Sequence, residues 1–88
     1  MICKRVIYTG QVQGIGFRYT TRNLAGGYAL AGFVRNLRDG TVEVVAEGAA
    51  DQVDAFLAAV AERMAGYIEN AAVQEETPKG MKGFSVRH

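Results

Sequence analysis

Residues 32–47 read Gly-Phe-Val-Arg-Asn-Leu-Arg-Asp-Gly-Thr-Val-Glu-Val-Val-Ala-Glu, and this stretch decides the fold. The Asp39-Gly40 step favours a tight turn, because both residue types tolerate the backbone angles of a two-strand hairpin. Beyond the turn every second residue is apolar, namely Val42, Val44 and Ala46. The pattern predicts two antiparallel strands, residues 32–38 and 41–47, with one apolar face.

A strand and a helix are predicted before this hairpin. Residues 2–9 are rich in β-forming side chains, and residues 18–29 have a helical pattern. Gly26 and Gly27 are unfavourable inside a helix, each by about 1 kcal/mol relative to alanine. We therefore expect this helix to bend or fray near its end.

A helix and a strand are also predicted after the hairpin. Asp51 suits the first turn of a helix, and Gly66 indicates where that helix stops. Residues 67–76 favour a fourth strand and residues 84–88 a short closing strand. Between Asp51 and Gly66, apolar residues recur at helical spacing, so this stripe must pack on another element: Val53, Phe56, Leu57, Val60 and Met64.

The predicted order is therefore β-α-β-β-α-β with a fifth strand at the end. Two amphipathic helices bury their stripes together on one face of an antiparallel sheet of four to five strands. This is an α+β, ferredoxin-like sandwich, and we expect residues 1–88 to form it as a single domain. The arrangement hosts many unrelated functions, so it assigns none by itself.

Composition and charge narrow the function classes. The chain has 88 residues and is 49% apolar, so a core can form. No apolar run reaches the roughly 18 residues of a membrane span and no signal peptide is evident, so we expect a cytoplasmic protein with no membrane association. We also expect a monomer, although no sequence pattern indicates the oligomeric state. Cys3 is the only cysteine, which excludes an internal disulfide and a cysteine-built metal site.

The charges are unevenly distributed. All nine acidic residues lie in residues 39–88, whereas residues 1–38 contain only cationic charges. A basic half favours an anionic ligand. Nucleic acid is one such ligand, but the paired aromatic-rich strand motifs that stack bases are missing, so we expect no nucleic acid as a partner.

Residues 10–18, Gly-Gln-Val-Gln-Gly-Ile-Gly-Phe-Arg, lie within the basic half. A glycine-rich turn lets backbone N–H groups converge on one point, and a helix starting near Phe17 adds its own free N–H groups. Such a place binds anions, usually phosphoryl groups, and Arg18 could grip the same anion with its planar fork of donors. The alternative is a tight turn followed by a surface arginine.

Asn36 and His88 are the other polar residues of interest. Asn36 shares a strand face with Val34, and its amide could orient a water molecule beside an anion. The alternative is that Asn36 simply ends its strand. His88, the only histidine, is expected to be a solvated chain end rather than a ligand or base. No metal site is predicted.

Two motifs together resemble those of the acylphosphatase family. Residues 10–18 match its signature Gly, any residue, Val-Gln-Gly, an aliphatic residue, any residue, Phe-Arg. Residues 32–36, followed by Gly40, Val42 and Gly48, are similar to its second signature. The resemblance extends over nearly the whole chain, including its length and its predicted order of elements.

The resemblance implies an enzyme that hydrolyses the carboxyl–phosphate bond of acyl phosphates to carboxylate and phosphate. It implies no cofactor, no metal, and a small acyl phosphate as the only partner. Because a small site should recognise chiefly the phosphoryl end of the substrate, we also expect broad tolerance of the acyl group. A non-catalytic domain that kept the phosphate cradle is the alternative. The site residues implied are a phosphate cradle at Gln13, Gly14, Ile15, Gly16 and Phe17, a phosphate clamp at Arg18, and a water-orienting amide at Asn36.

Overall fold

A computed structural model describes the whole chain, residues 1–88, as a five-stranded sheet with two helices. The predicted order of elements is confirmed, including the closing strand. No helix is long and apolar enough to cross a bilayer. In chain order the elements are β1 (Ile2–Gly10), α1 (Phe17–Ala25), β2 (Leu30–Asn36), β3 (Val42–Gly48), α2 (Ala50–Arg63), β4 (Ile68–Glu76) and β5 (Phe84–Arg87).

The sheet has the strand order β4-β1-β3-β2-β5, with β3 at its centre. The four longer strands pair antiparallel, as predicted, but β5 pairs with β2 in parallel. The sheet is therefore mixed rather than wholly antiparallel. The reason is topological: β4 and β5 lie at opposite edges, so residues 77–83 cross the sheet and deliver β5 in the same direction as β2.

Both helices end earlier than the sequence predicts. α1 ends at Ala25, so Gly26 and Gly27 follow the helix and neither bends nor frays it. Their N–H groups donate to the carbonyls of Asn23 and Leu24 and close the last turn. α2 ends at Arg63, ahead of the predicted stop.

The core lies between the helices and one face of the sheet. The alternating residues of β3 are fully buried there, and the apolar stripe of α2 packs with them. Burying one such valine or phenylalanine stabilises a fold by about 1.5–3 kcal/mol. Near the start of α1, the ring of Phe17 lies 5.3 Å from that of Tyr8 on β1, centroid to centroid, which fixes the helix start against the sheet.

The opposite face of β3 buries two carboxylates, those of Glu43 and Glu47. Each oxygen of Glu43 accepts a hydrogen bond from an arginine Nε, one from Arg5 and one from Arg35. Burial of this carboxyl favours its neutral form, but the two guanidinium groups outweigh that effect and lower the pKa of Glu43. The ion pair thus links β3 to both of its neighbours.

Glu47 ties residues 77–83 to the sheet. Its two oxygens accept hydrogen bonds from the backbone N–H groups of Lys79 and Met81. The bond from Lys79 contributes most to lowering the pKa of Glu47, against the opposing effect of burial. This contact holds the crossing segment on the outer face of β3.

We expect Glu43→Gln to destabilise the fold. The glutamine amide has no negative charge to pair with the two arginines, so the free energy of unfolding should fall by about 1–3 kcal/mol. Urea unfolding measures the change in the free energy of unfolding. Glu62→Gln, at an exposed position on α2, is the matched control and should be neutral. Equal stability of the two variants would contradict the role assigned to Glu43.

Stability should also fall in acid. The folded pKa values of Glu43 and Glu47 lie below the ordinary value of 4.5, so the unfolded chain binds their protons more readily. Their contribution is fully present above that ordinary value and is lost as the pH falls through the lower folded pKa values.

Urea midpoints recorded from neutral pH to about pH 3 would measure this loss. Glu47→Gln cannot ionise, so its midpoint should fall less steeply than that of the unaltered chain. Parallel curves would show that Glu47 contributes nothing to the acid sensitivity.

Candidate active site

The loop between β1 and α1 adopts backbone angles that glycine makes accessible. Gly14 and Gly16 have φ angles of 79° and 78°, values that side-chain-bearing residues rarely adopt. Gly16 is the N-cap of α1 and offers no capping side chain. As a result, no group of the chain accepts a hydrogen bond from the backbone N–H groups of residues 14–19. Such a row of free donors at a helix N-terminus is suited to an anion.

A cavity of about 240 Å³ lies beside this loop. It brings together side chains from the loop, from α1 and from the end of β2, including the predicted pair Arg18 and Asn36. Most of the predicted cradle lines it as well. The lining residues are Val12, Gly14, Gly16, Phe17, Arg18, Tyr19 and Asn36.

Asn36 owes its place in the cavity to the pairing of β3. Asn36 pairs with Val42, and Val42 pairs on its other side with Tyr8, near the end of β1. The end of β2 and the start of the glycine loop therefore lie on either side of one residue. Asn36 is also the last residue of β2, so it ends the strand and lines the cavity at once.

Gln13 and Ile15, the other two predicted cradle residues, do not line the cavity. The Gln13 side chain points to the β2–β3 hairpin, where its Nε2 donates to the carbonyl oxygens of Leu37 at 2.8 Å and Thr41 at 2.9 Å. Gln13 thereby ties the loop to the hairpin that carries Asn36. A part for Gln13 and Ile15 in the cradle stays a prediction.

Arg18 is held by the end of the chain. Its Nη1 donates to the carbonyl oxygen of Arg87 at 3.3 Å and lies 3.0 Å from Nδ1 of His88. A guanidinium can only donate, so Nδ1 is the acceptor. His88 is exposed, as expected, but it contacts the predicted phosphate clamp. Sequence reasoning missed this contact because it joins residues at opposite ends of the chain.

Tyr19 is a second residue that sequence reasoning missed. It follows Arg18 directly, lines the cavity, and is 45% exposed. Its position next to the clamp was the available signal, since residues N2 and N3 of a helix both lie at the helix entrance.

The acylphosphatase family model matches residues 4–86. The chain belongs to the acylphosphatase family. An acylphosphatase from Trichormus variabilis is 44% identical over 88 residues, which cover 99% of this chain and 87% of that protein. An acylphosphatase from Methanospirillum hungatei is 43% identical, with 96% and 97% of the two chains covered. The predicted family is thus confirmed, and membership supports the predicted enzyme, a hydrolase acting on acyl phosphates.

Solved structures of the family confirm the fold. The crystal structure of acylphosphatase from Bacillus subtilis superposes with a TM-score of 0.90 at 34% identity, with both chains fully covered. An acylphosphatase from Coxiella burnetii gives a TM-score of 0.86 at 31% identity, covering 98% of this chain and 92% of the other. The α+β, ferredoxin-like class predicted from the sequence is therefore correct.

We expect Gln13→Ala to disturb the site more than the fold. The two carbonyls that it contacts keep backbone donors from Gly40 and Leu37, so stability should fall by only about 1 kcal/mol. The loop, however, loses its tie to the hairpin. A small displacement between loop and Asn36 should lower acyl phosphate turnover at least about tenfold.

Steady-state kinetics and urea unfolding would measure both effects. Gln11→Ala is the matched control, because Gln11 is exposed and its side chain makes no hydrogen bond. Unchanged turnover in Gln13→Ala would show that the tie does not position the site.

Proposed function

We propose that this chain hydrolyses acyl phosphates without a metal, with the phosphoryl group held by the glycine loop and Arg18 and the attacking water oriented by Asn36. The observation that carries this proposal is that Arg18 and Asn36 line one cavity beside a row of backbone N–H groups with no acceptor in the chain. The two predicted catalytic residues come from different elements and meet only there.

The loop and Arg18 supply the positive field for the phosphoryl group. Free N–H groups at a helix N-terminus carry partial positive charge, and α1 has no acidic residue in its first turn to oppose it. Phosphoryl transfer spreads negative charge over the equatorial oxygens in its transition state. Donors fixed by the backbone stabilise that charge without reorganising during the reaction.

Asn36 orients the attacking water. Its side-chain amide has one acceptor and two donors, and no hydrogen bond to the rest of the chain engages them. An amide in this position can accept a hydrogen bond from the water and aim the water oxygen at phosphorus. Orienting the nucleophile removes part of the entropy cost of the reaction.

The bond changes balance without a protein base. The water oxygen forms a bond to phosphorus while the bond between phosphorus and the acyl oxygen breaks, and the carboxylate leaves with that electron pair. No carboxylate or imidazole lines the cavity. We therefore propose that a phosphoryl oxygen of the substrate accepts the proton, so that carboxylate and phosphate are released.

Arg18→Ala should lower kcat/KM for benzoyl phosphate by about 10³-fold or more, because a cation on the transferring phosphoryl group contributes on this scale. Circular dichroism should show an unchanged fold, since Arg18 is only half-buried and its hydrogen bond to the carbonyl oxygen of Arg87 is exposed. Arg63→Ala, an exposed arginine at the end of α2, is the matched control and should keep full activity. Activity that survives Arg18→Ala would overturn the assignment of the clamp.

Asn36→Ala should lower kcat by about 10²- to 10³-fold and change KM little, as expected for the loss of one preorganised hydrogen-bonding group that acts in the chemical step. Assays with and without a chelator test the absence of a metal requirement. Folded protein that turns over no acyl phosphate would contradict the proposed function.

The monomeric state, the cytoplasmic location and the absence of nucleic-acid and membrane partners stay predictions. Sedimentation, cell fractionation and binding to single-stranded RNA at low salt would test them.

A further inference from the structure

One feature of the cavity has no part in the proposed chemistry, and this is Tyr19. Of the apolar side chains that line the cavity, Val12 and Phe17 are each 1% exposed and belong to the core, whereas Tyr19 is 45% exposed. A large aromatic ring left open to solvent beside an anion site calls for an explanation, because burying it would be favourable.

We propose that Tyr19 is a specificity-determining residue that contacts the acyl group and favours planar aromatic acyl phosphates over small aliphatic ones. The inference rests on the proposed function, because it needs the phosphoryl group at residues 14–18. With that group seated on the loop, the acyl group extends from the phosphoryl group toward solvent. Tyr19 is the one apolar lining side chain that solvent reaches.

The ring of Tyr19 is held in place from two directions. The guanidinium carbon of Arg22, one turn along α1, lies 5.3 Å from the ring centroid. The ring of His88 lies 6.4 Å away at an interplanar angle of 49°. These contacts restrain the side chain, so a ligand that stacks on it loses little rotamer entropy. A restrained and accessible aromatic ring is suited to stacking with a second one.

We expect the preference for aromatic over small aliphatic acyl groups to be partial rather than absolute. Offset stacking or edge-to-face contact of two rings adds a modest increment beyond area burial, so an aromatic acyl group gains without small acyl groups being excluded. Broad acyl tolerance, as predicted from the sequence, and a measurable aromatic preference are therefore compatible.

The test compares benzoyl phosphate with acetyl phosphate. In Tyr19→Ala, the ratio of kcat/KM for benzoyl phosphate to that for acetyl phosphate should fall about threefold to tenfold, mainly through KM for the benzoyl substrate. Tyr19→Phe keeps the ring and should keep the ratio. Tyr67→Ala is the matched control, because Tyr67 is also 45% exposed but does not line the cavity.

Inhibition by inorganic phosphate separates specificity from damage to the loop. Its inhibition constant should be equal in Tyr19→Ala and the unaltered chain, since phosphate has no acyl group. An unchanged substrate ratio in Tyr19→Ala, or an equal loss for both substrates, would overturn the inference.

A binding experiment makes the inference independent of turnover. Benzoylphosphonate and acetylphosphonate replace the scissile oxygen link with a carbon–phosphorus bond and cannot be hydrolysed in the same way. Calorimetric titration should show a preference for benzoylphosphonate that Tyr19→Ala loses by a similar factor. Preferential binding without turnover would support Tyr19 and overturn the proposed function, and no binding of either phosphonate would overturn both.

Discussion

The register of the central strand β3 is the constraint on which the rest of the structure depends. Val42 pairs with Tyr8 of β1 on one side and with Asn36 of β2 on the other. β1 leads into the glycine loop and β2 ends on the asparagine, so this single position sets the two halves of the site side by side. A slip of one residue would turn every side chain of β3 to the opposite face and would move Asn36 away from the cavity.

Both faces of β3 contribute to holding that register, by different means. On the helix side, the apolar residues of β3 pack with α2, and burial supplies the stability. On the other side, Glu43 pairs with arginines from both neighbouring strands, and Glu47 accepts N–H groups from the crossing segment. The buried charges are favourable only because each oxygen has a partner, which also makes the pairing selective for this register.

The site divides its tasks between backbone and side chains. Gly14 and Gly16 shape the loop and leave its N–H groups free, while Arg18 adds a full charge that the end of the chain holds in place. In the proposed reaction the phosphoryl group accepts hydrogen bonds from donors fixed by the backbone, and Asn36 alone orients the attacking water. A site of this kind requires little from the acyl group, which leaves specificity to an exposed neighbour such as Tyr19.

The sequence by itself determined the order of elements, the helix stripe, the hairpin and the family, because these follow from local periodicity, turn chemistry and two motifs. It also singled out Arg18 and Asn36. Only the tertiary structure decided that β5 pairs in parallel, that Glu43 is buried, that His88 contacts Arg18, and that Tyr19 lines the cavity. These features depend on contacts between residues that are far apart in the chain, and no local sequence pattern predicts which residues such a side chain will contact.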